Sequence, residues 1–469
     1  MRKNVKKEMK DTEVKKKNYE MDMCSGPIFR KMLKFTFPIM CSGILQLLFN
    51  AADVVVVGQF AGHTALAAVG SNSALINLLT NLFIGLSIGT NVLIARYYGA
   101  KKQERLSQSI HTSMLLSIYS GIILTIVGTV FAKGILTLMQ TPGNVLDQAV
   151  LYIRLYFLGM TGTMIYNFGS AILRATGDTK RPLYYLMIAG VVNVVLNVIL
   201  VAGFSMGVAG VAIATAISQF VSAGFIIRCL LRETGALKLD IRKLKIVKQD
   251  LIDIVRVGLP AGFQGMLFSL SNVIIQSAVN GFGDIVVAGN SAAMSIEGFV
   301  YMSMNSFYQA TISFTSQNVG ARRFDRILKI LVSGQAAVIM VGLIIGNMAV
   351  IFANPLISIY SSDPEVIAAG VNRIGIICSI YFTCGMMDVM VGALRGLGYS
   401  VMPMIVSLIG ACGLRLLWIA TVFQIPEFHK ITTVYVSYPI TWIITFTAHV
   451  ICFAVIYRKT IVGKQKGVQ

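Results

Sequence analysis

The segment GAKKQERL at residues 99–106 returns as GARRFDRI at 320–327, and LRATGDTKRP at 173–182 returns more loosely as LRGLGYSVMP at 394–403, both 221 residues later. Near that offset Pro38 aligns with Pro260 and Asn50 with Asn272. A chain that repeats itself at almost half its length is read as two equivalent halves. Between the repeated segments the sequence runs apolar for about twenty residues at a time, enough to cross a bilayer as a helix. Spans are expected at roughly 33–57, 65–95, 107–131, 148–172, 183–203 and 208–230 in the first half. In the second they fall at 254–280, 286–316, 329–352, 365–392, 402–424 and 434–457. Six spans per half is an even number, so both halves start on the same side. The predicted fold is an all-α integral membrane protein of twelve helices, in two six-helix lobes related by a pseudo-two-fold axis along the membrane normal.

Composition supports that class. Of 469 residues, 55% are hydrophobic and 13% charged, and the mean hydropathy is +0.74. A soluble chain carries about a quarter charged residues, and a transmembrane β-barrel alternates polarity in strands of about ten. The net charge of +20 raises the question of nucleic acid, and its distribution answers it. Of the 40 Lys and Arg, 35 lie in the two tails, the linker and alternate loops. The positive-inside rule therefore puts both termini and every basic loop in the cytoplasm. No nucleic-acid partner is expected, and the basic tail is read as touching anionic lipid headgroups. The expected domains are a cytoplasmic tail at 1–30, the N-lobe at 31–230, a cytoplasmic linker at 231–253, the C-lobe at 254–457 and a second tail at 458–469. The seven cysteines have no paired or metal-ligand spacing. Neither a GxxxxGK[ST] phosphate loop nor an HExxH or GxSxG motif occurs, so no enzymatic activity or resident cofactor is expected. Transport energy would come from an ion gradient.

Charged groups inside a bilayer are costly, and each is a functional candidate. Three acids fall well inside spans: Asp53, Glu297 and Asp388. Asp53, in NAADVVVVGQFAG, has no Lys or Arg elsewhere in its span, which makes uptake of a proton or a cation energetically relevant there. Asn193 and Asn197 lie one helical turn apart and share a face. The short connection FSMG (204–207) folds spans five and six into a hairpin. Asn197 and Thr215 then lie roughly 12–15 Å below the outer surface, at about 1.5 Å per residue. Asp53, Asn193, Asn197 and Thr215 thus form a candidate cation-coupling site for H⁺, or for Na⁺ as a possible metal ion. Glu297, Asp388 and Arg415 are candidates for the substrate cavity, Arg415 being expected to pair with one of the two acids and Asp388 having Arg395 as a second option. Met206, Met266, Met294 and Met302 are candidate lining residues, since thioethers adapt to varied organic ligands.

These residues resemble those of the multidrug and toxic compound extrusion (MATE) transporters, in particular the bacterial DinF-like and MepA-like branch. The resemblance covers roughly residues 30–457. It rests on Pro38 with NAADVVVVGQFAG, on RYYGAKKQER, on LRATGDTKRP followed by NVVLN and GVAGVAIAT, and on QNVGARR and ALRGLGYSVMP. It implies two lobes around a central cleft that opens alternately to either side, and export of organic cations in exchange for H⁺ or Na⁺. It also implies that Asp53 is the first-helix acid of the N-lobe cation site, with Asn193 and Thr215 as partners. Asn197 stands where many relatives carry a second Asp, and Phe268 where another branch carries a Glu. Glu297 resembles the eighth-helix acid that neutralises a cationic drug. The expected protein is a monomeric, multi-pass efflux antiporter of a bacterial plasma membrane acting on small organic compounds. The alternative is a lipid-linked oligosaccharide flippase of the related superfamily, whose cavity would present several arginines.

Overall fold

The structure is a computed structural model that describes residues 19–139 and 141–459. Most of the expected basic tail at 1–30, and the end of the one at 458–469, lie outside the described residues. The described residues contain helices and turns and no strand. The helices of the first half are α1 (Ile28–Phe60), α2 (Gly62–Gly99), α3 (Gln103–Val130), α4 (Gly143–Leu158 bent into Met160–Ala175), α5 (Lys180–Gly203) and α6 (Gly207–Arg232). Those of the second are α7 (Lys248–Asn280), α8 (Asp284–Gly320), α9 (Ile327–Ile351), α10 (Pro364–Ile380 bent into Phe382–Gly396), α11 (Val401–Gln424) and α12 (Ile431–Tyr457). Ten are long and apolar enough to cross a membrane, and the two bent pairs, each turning by 45°, bring the number to twelve among the described residues.

The backbone repeats as the sequence does. Lys101 and Arg322 are non-glycine residues with φ of 55° and 56°, and Gly177 and Gly398 have φ of 98° and 95°. Each pair is separated by the 221-residue offset, so equivalent turns are built with equivalent, otherwise disfavoured conformations. Both bends fall at the same point of the repeat. α5 ends in a π-helical turn at Val198–Gly203, and α11 contains one at Leu408–Gly413; such turns rotate the residues beyond them relative to those before.

The basic loops define one end of the bundle, and there the lobes are stitched together by repeat-related contacts. Arg96 of α2 donates to the Gly396 carbonyl at 3.1 Å, and Gln317 of α8, its counterpart in the repeat, donates to the Ala175 carbonyl at 2.7 Å. Asn91 donates to the Ala171 carbonyl and accepts from the Ser313 hydroxyl. Residues 19–27 cross this end between the lobes: the Tyr98 hydroxyl donates to Glu20 in one, and Asn318 and Arg326 donate to the Met23, Ser25 and Gly26 carbonyls in the other. The linker is docked as well, the Asp240 and Val247 amides donating to His111 and Thr112 of α3.

Between α2 and α7 the lobes touch backbone to backbone. A Cβ on Gly258 would fall 2.6 Å from the Leu86 Cα, and one on Gly262 would fall 2.7 Å from the Leu82 Cα. No side chain fits without parting the helices. Gly262→Val is therefore expected to lower the melting temperature of the purified protein, at a cost of about 1–3 kcal/mol or more. Gly265→Ala, where the new atom would meet Asn81 at an ordinary 3.5 Å, should leave it unchanged. Thermal unfolding in detergent checks the pair, and equal melting of Gly262→Val and the parent protein would contradict this packing.

Candidate functional site

Asp53 lies in the half of α1 remote from the basic end, and the α5–α6 hairpin brings Asn193, Asn197 and Thr215 against it. The tight turn at 204–206, with Ser205 at φ 54°, sets the two helices antiparallel, with Asn193 opposite Thr215. The four side chains form a closed ring of hydrogen bonds. Asn197 Nδ2 donates to Asp53 Oδ1 and to Asn193 Oδ1 at 3.2 Å; Asn193 Nδ2 donates to Thr215 Oγ1 at 3.2 Å; and the Thr215 hydroxyl donates to Asp53 Oδ2 at 3.3 Å. All four are buried, Asp53 and Thr215 most exposed at 9%. No described Lys or Arg forms an ion pair with Asp53. Asn197 Oδ1 has no partner among the described residues, leaving a buried acceptor beside the carboxylate. The donor set is all oxygen, which suits a hard cation or a proton and not a soft transition metal.

Asp53, Asn193 and Thr215 also line a cavity of about 540 Å³ enclosed by both lobes. Its C-lobe wall includes Gln264, Tyr301, Asn305, Tyr308, Asp388 and Arg395. Asp388 thus reaches the cavity. No described side chain donates a hydrogen bond to it, and Arg395 is not within ion-pair distance.

The other candidates lie elsewhere. Glu297 is held by Arg373, whose Nε and Nη2 donate to its two oxygens at 2.7 and 2.8 Å while Nη1 donates to Asn290 Oδ1 at 2.7 Å. The pair is buried, and Arg373 also faces the rings of Tyr435 and Tyr438. Glu297 therefore does not border the cavity. The expectation that Arg415 pairs with Glu297 or Asp388 is corrected: its guanidinium stacks on Tyr438 at 3.9 Å and donates to Thr441 at 3.1 Å. The ring faces supply the negative charge density it needs. Neither Arg415 nor Met294 lines the cavity; Met294 is 43% exposed on α8, whereas Met302 does line it.

Arg174 escaped the sequence reading as a functional candidate, and Arg395 entered it only as a partner for Asp388; both line the cavity. They had been assigned to loops. Their shared signal was present in the repeat, as the Arg of LRATG and the Arg of LRGLG.

Comparison with known proteins agrees with this architecture. The chain is 29% identical over 421 residues to the "Probable multidrug resistance protein YoeA" of Bacillus subtilis, covering 88% of this chain and 90% of that one. It is 23% identical over 348 residues to the multidrug export protein MepA of Staphylococcus saprophyticus, covering 72% and 75%. A solved outward-facing conformation of a multidrug resistance MATE family transporter of the MOP superfamily superposes with a TM-score of 0.86 at 22% identity, over 93% of this chain and 98% of that one. The MatE family pattern matches twice, at residues 38–199 and 260–420, once in each lobe. With twelve spans, two repeat-related lobes and a pattern match in both, the chain belongs to the MatE family of multi-pass membrane transporters.

Proposed function

We propose that this protein is a secondary active antiporter of a bacterial plasma membrane, with both termini cytoplasmic, that exports amphipathic organic cations in exchange for H⁺ or Na⁺ and acts as a monomer. The observation that carries the reading is the ring at Asp53: a buried carboxylate without a counter-cation, held by neutral groups and bordering a cavity shared by both lobes. The names of its relatives, which are multidrug resistance and export proteins, support the substrate class.

The mechanism follows from the hydrogen-bond roles in the ring. As drawn, both carboxylate oxygens accept, so an added proton requires a partner to reorient: the Thr215 hydroxyl can turn and accept through its second lone pair, or the Asn197 amide can turn its free Oδ1 toward the carboxyl. A Na⁺ arriving as cargo would instead use Asp53 and that same oxygen. Either event rearranges the ring of hydrogen bonds that joins α1 to α5 and α6. Drug on the cavity side and ion in the ring then bias the transporter in opposite directions, through unequal affinity for its two open states. On the positive-inside rule the stitched basic end is the cytoplasmic one. Asp388 supplies the negative charge that a cationic substrate would meet in the C-lobe.

Expression in a pump-deficient bacterium tests the reading. Accumulation of ethidium should fall, and collapsing the coupling gradient, proton or sodium, should restore it. Unchanged accumulation in cells that carry the protein in their membrane would contradict export. The flippase reading draws on the two cavity arginines, and predicts instead movement of a diphosphate-linked lipid across vesicles with no ion gradient.

A further inference from the structure

We infer that the basic end of the cavity is an anion subsite formed by Arg174 and Arg395, and that the molecules it accepts are amphoteric, carrying a carboxylate or phosphate as well as a cation. The inference rests on the reading of this cavity as the substrate cavity and narrows its substrate class. The two arginines occupy the same position of the 221-residue repeat, one in each lobe, and line one cavity. Arg373 is paired with Glu297 and Arg181 with Asp178 and Glu233, and Arg415, away from the cavity, is covered by the Tyr438 ring. Arg174 and Arg395 have no acidic partner among the described residues. Arg395 is 4% exposed, and its contacts are neutral: the Tyr308 hydroxyl, and Gln264 Oε1 at 2.8 Å. These orient the guanidinium without neutralising it, and its Nε has no partner among the described residues. The Arg174 side chain, half-buried at the end of α4, makes no hydrogen bond or ion pair with any described residue. One buried and one half-buried guanidinium, one from each lobe, that line a single cavity without an acid in ion-pair contact call for an anion, and planar guanidinium forks suit carboxylate or phosphate oxygens.

The cation of the same molecule has a place as well. Asp388 precedes Arg395 by seven residues on α10, which is close to two helical turns; the two share a face and are about 10 Å apart along the axis. Asp388 and the two guanidiniums thus offer a ligand charges of both signs within one cavity.

A matched pair of dyes tests the subsite: a rhodamine bearing a free carboxylate, and its methyl ester, with the same cationic chromophore. Binding to the purified full chain in lipid nanodiscs is followed by fluorescence polarisation. The free acid should bind about tenfold more tightly than the ester, the difference expected from a charged hydrogen-bonding group. In Arg174→Gln the ratio should fall close to one. Lys133→Gln, on the opposite connection, should keep it, and Arg395→Lys, with charge but no fork, should give an intermediate ratio. Lowering the chloride concentration, with sucrose holding the osmolarity, should leave the wild-type preference intact. Equal binding of acid and ester by wild type would overturn the subsite. So would a preference that Arg174→Gln retains, or ester binding that requires chloride, which would assign the arginines to a free inorganic anion. Binding of neither dye would instead count against the export reading itself.

Discussion

Asp53→Asn is expected to abolish ion-coupled efflux while leaving a folded protein in the membrane. The substitution keeps the shape of the side chain and one acceptor, so the bond from Asn197 Nδ2 survives. On the other side the new amide faces Thr215 Oγ1, which already accepts from Asn193 and has a second lone pair to offer. The loss is the bond from the Thr215 hydroxyl to a charged acceptor, about 1.5–3 kcal/mol, offset by removal of a buried charge that has no counter-cation. What disappears is the one group in the ring that can change charge. Without it, neither proton nor Na⁺ distinguishes the two open states, and an ion that binds them equally shifts nothing. Drug resistance conferred by the variant in a pump-deficient host should match the empty vector, at wild-type protein abundance in the membrane fraction. Wild-type resistance from the variant would remove Asp53 from the mechanism.

Arg373→Met is expected to be the most destabilising of the single changes considered. It strands the Glu297 carboxylate, 7% exposed, without the bidentate partner that compensates its desolvation. Breaking such a pair from one side costs about 3–5 kcal/mol. It also removes the donor to Asn290 and the cation lying against Tyr435 and Tyr438. The double variant Arg373→Met/Glu297→Gln should recover most of that loss, since it leaves no buried charge unpaired. Thermal unfolding of the three variants, followed by size-exclusion of the detergent-solubilised protein, separates the cases. If Arg373→Met and the double variant melt together, Glu297 is not held as an ion. If the double variant recovers stability, the pair is structural, and Glu297 is not available to neutralise a drug in this state.

The fold was legible because it depends on apolar length, on charge placement and on a repeat, all of which are local or periodic. The bends in α4 and α10 were not, since each lies inside an unbroken apolar run and arises where a helix turns to follow its neighbours. At Gly159 a Cβ would lie 2.8 Å from the Ala216 Cα of α6. The N-lobe ring was legible in part because a short hairpin connection fixes the relative depth of Asn197 and Thr215. In the C-lobe no such constraint operates. Arg373 reads as a residue near the start of a span, and only the rotation of α10 against α8 turns it inward to Glu297. Arg415 was expected to need an acid, because sequence does not reveal that Tyr438 and Trp442 stack around it. Arg174 and Arg395 were read as loop cations even though they repeat.

Coupling through Asp53 is tested most directly in proteoliposomes with an imposed proton gradient, and separately with an imposed sodium gradient, comparing wild type with Asp53→Asn. Wild type should accumulate or expel a fluorescent cation against its own gradient under one of the two conditions, and Asp53→Asn under neither. Gradient-driven transport by Asp53→Asn at the wild-type rate, or wild-type transport indifferent to both gradients, would contradict it.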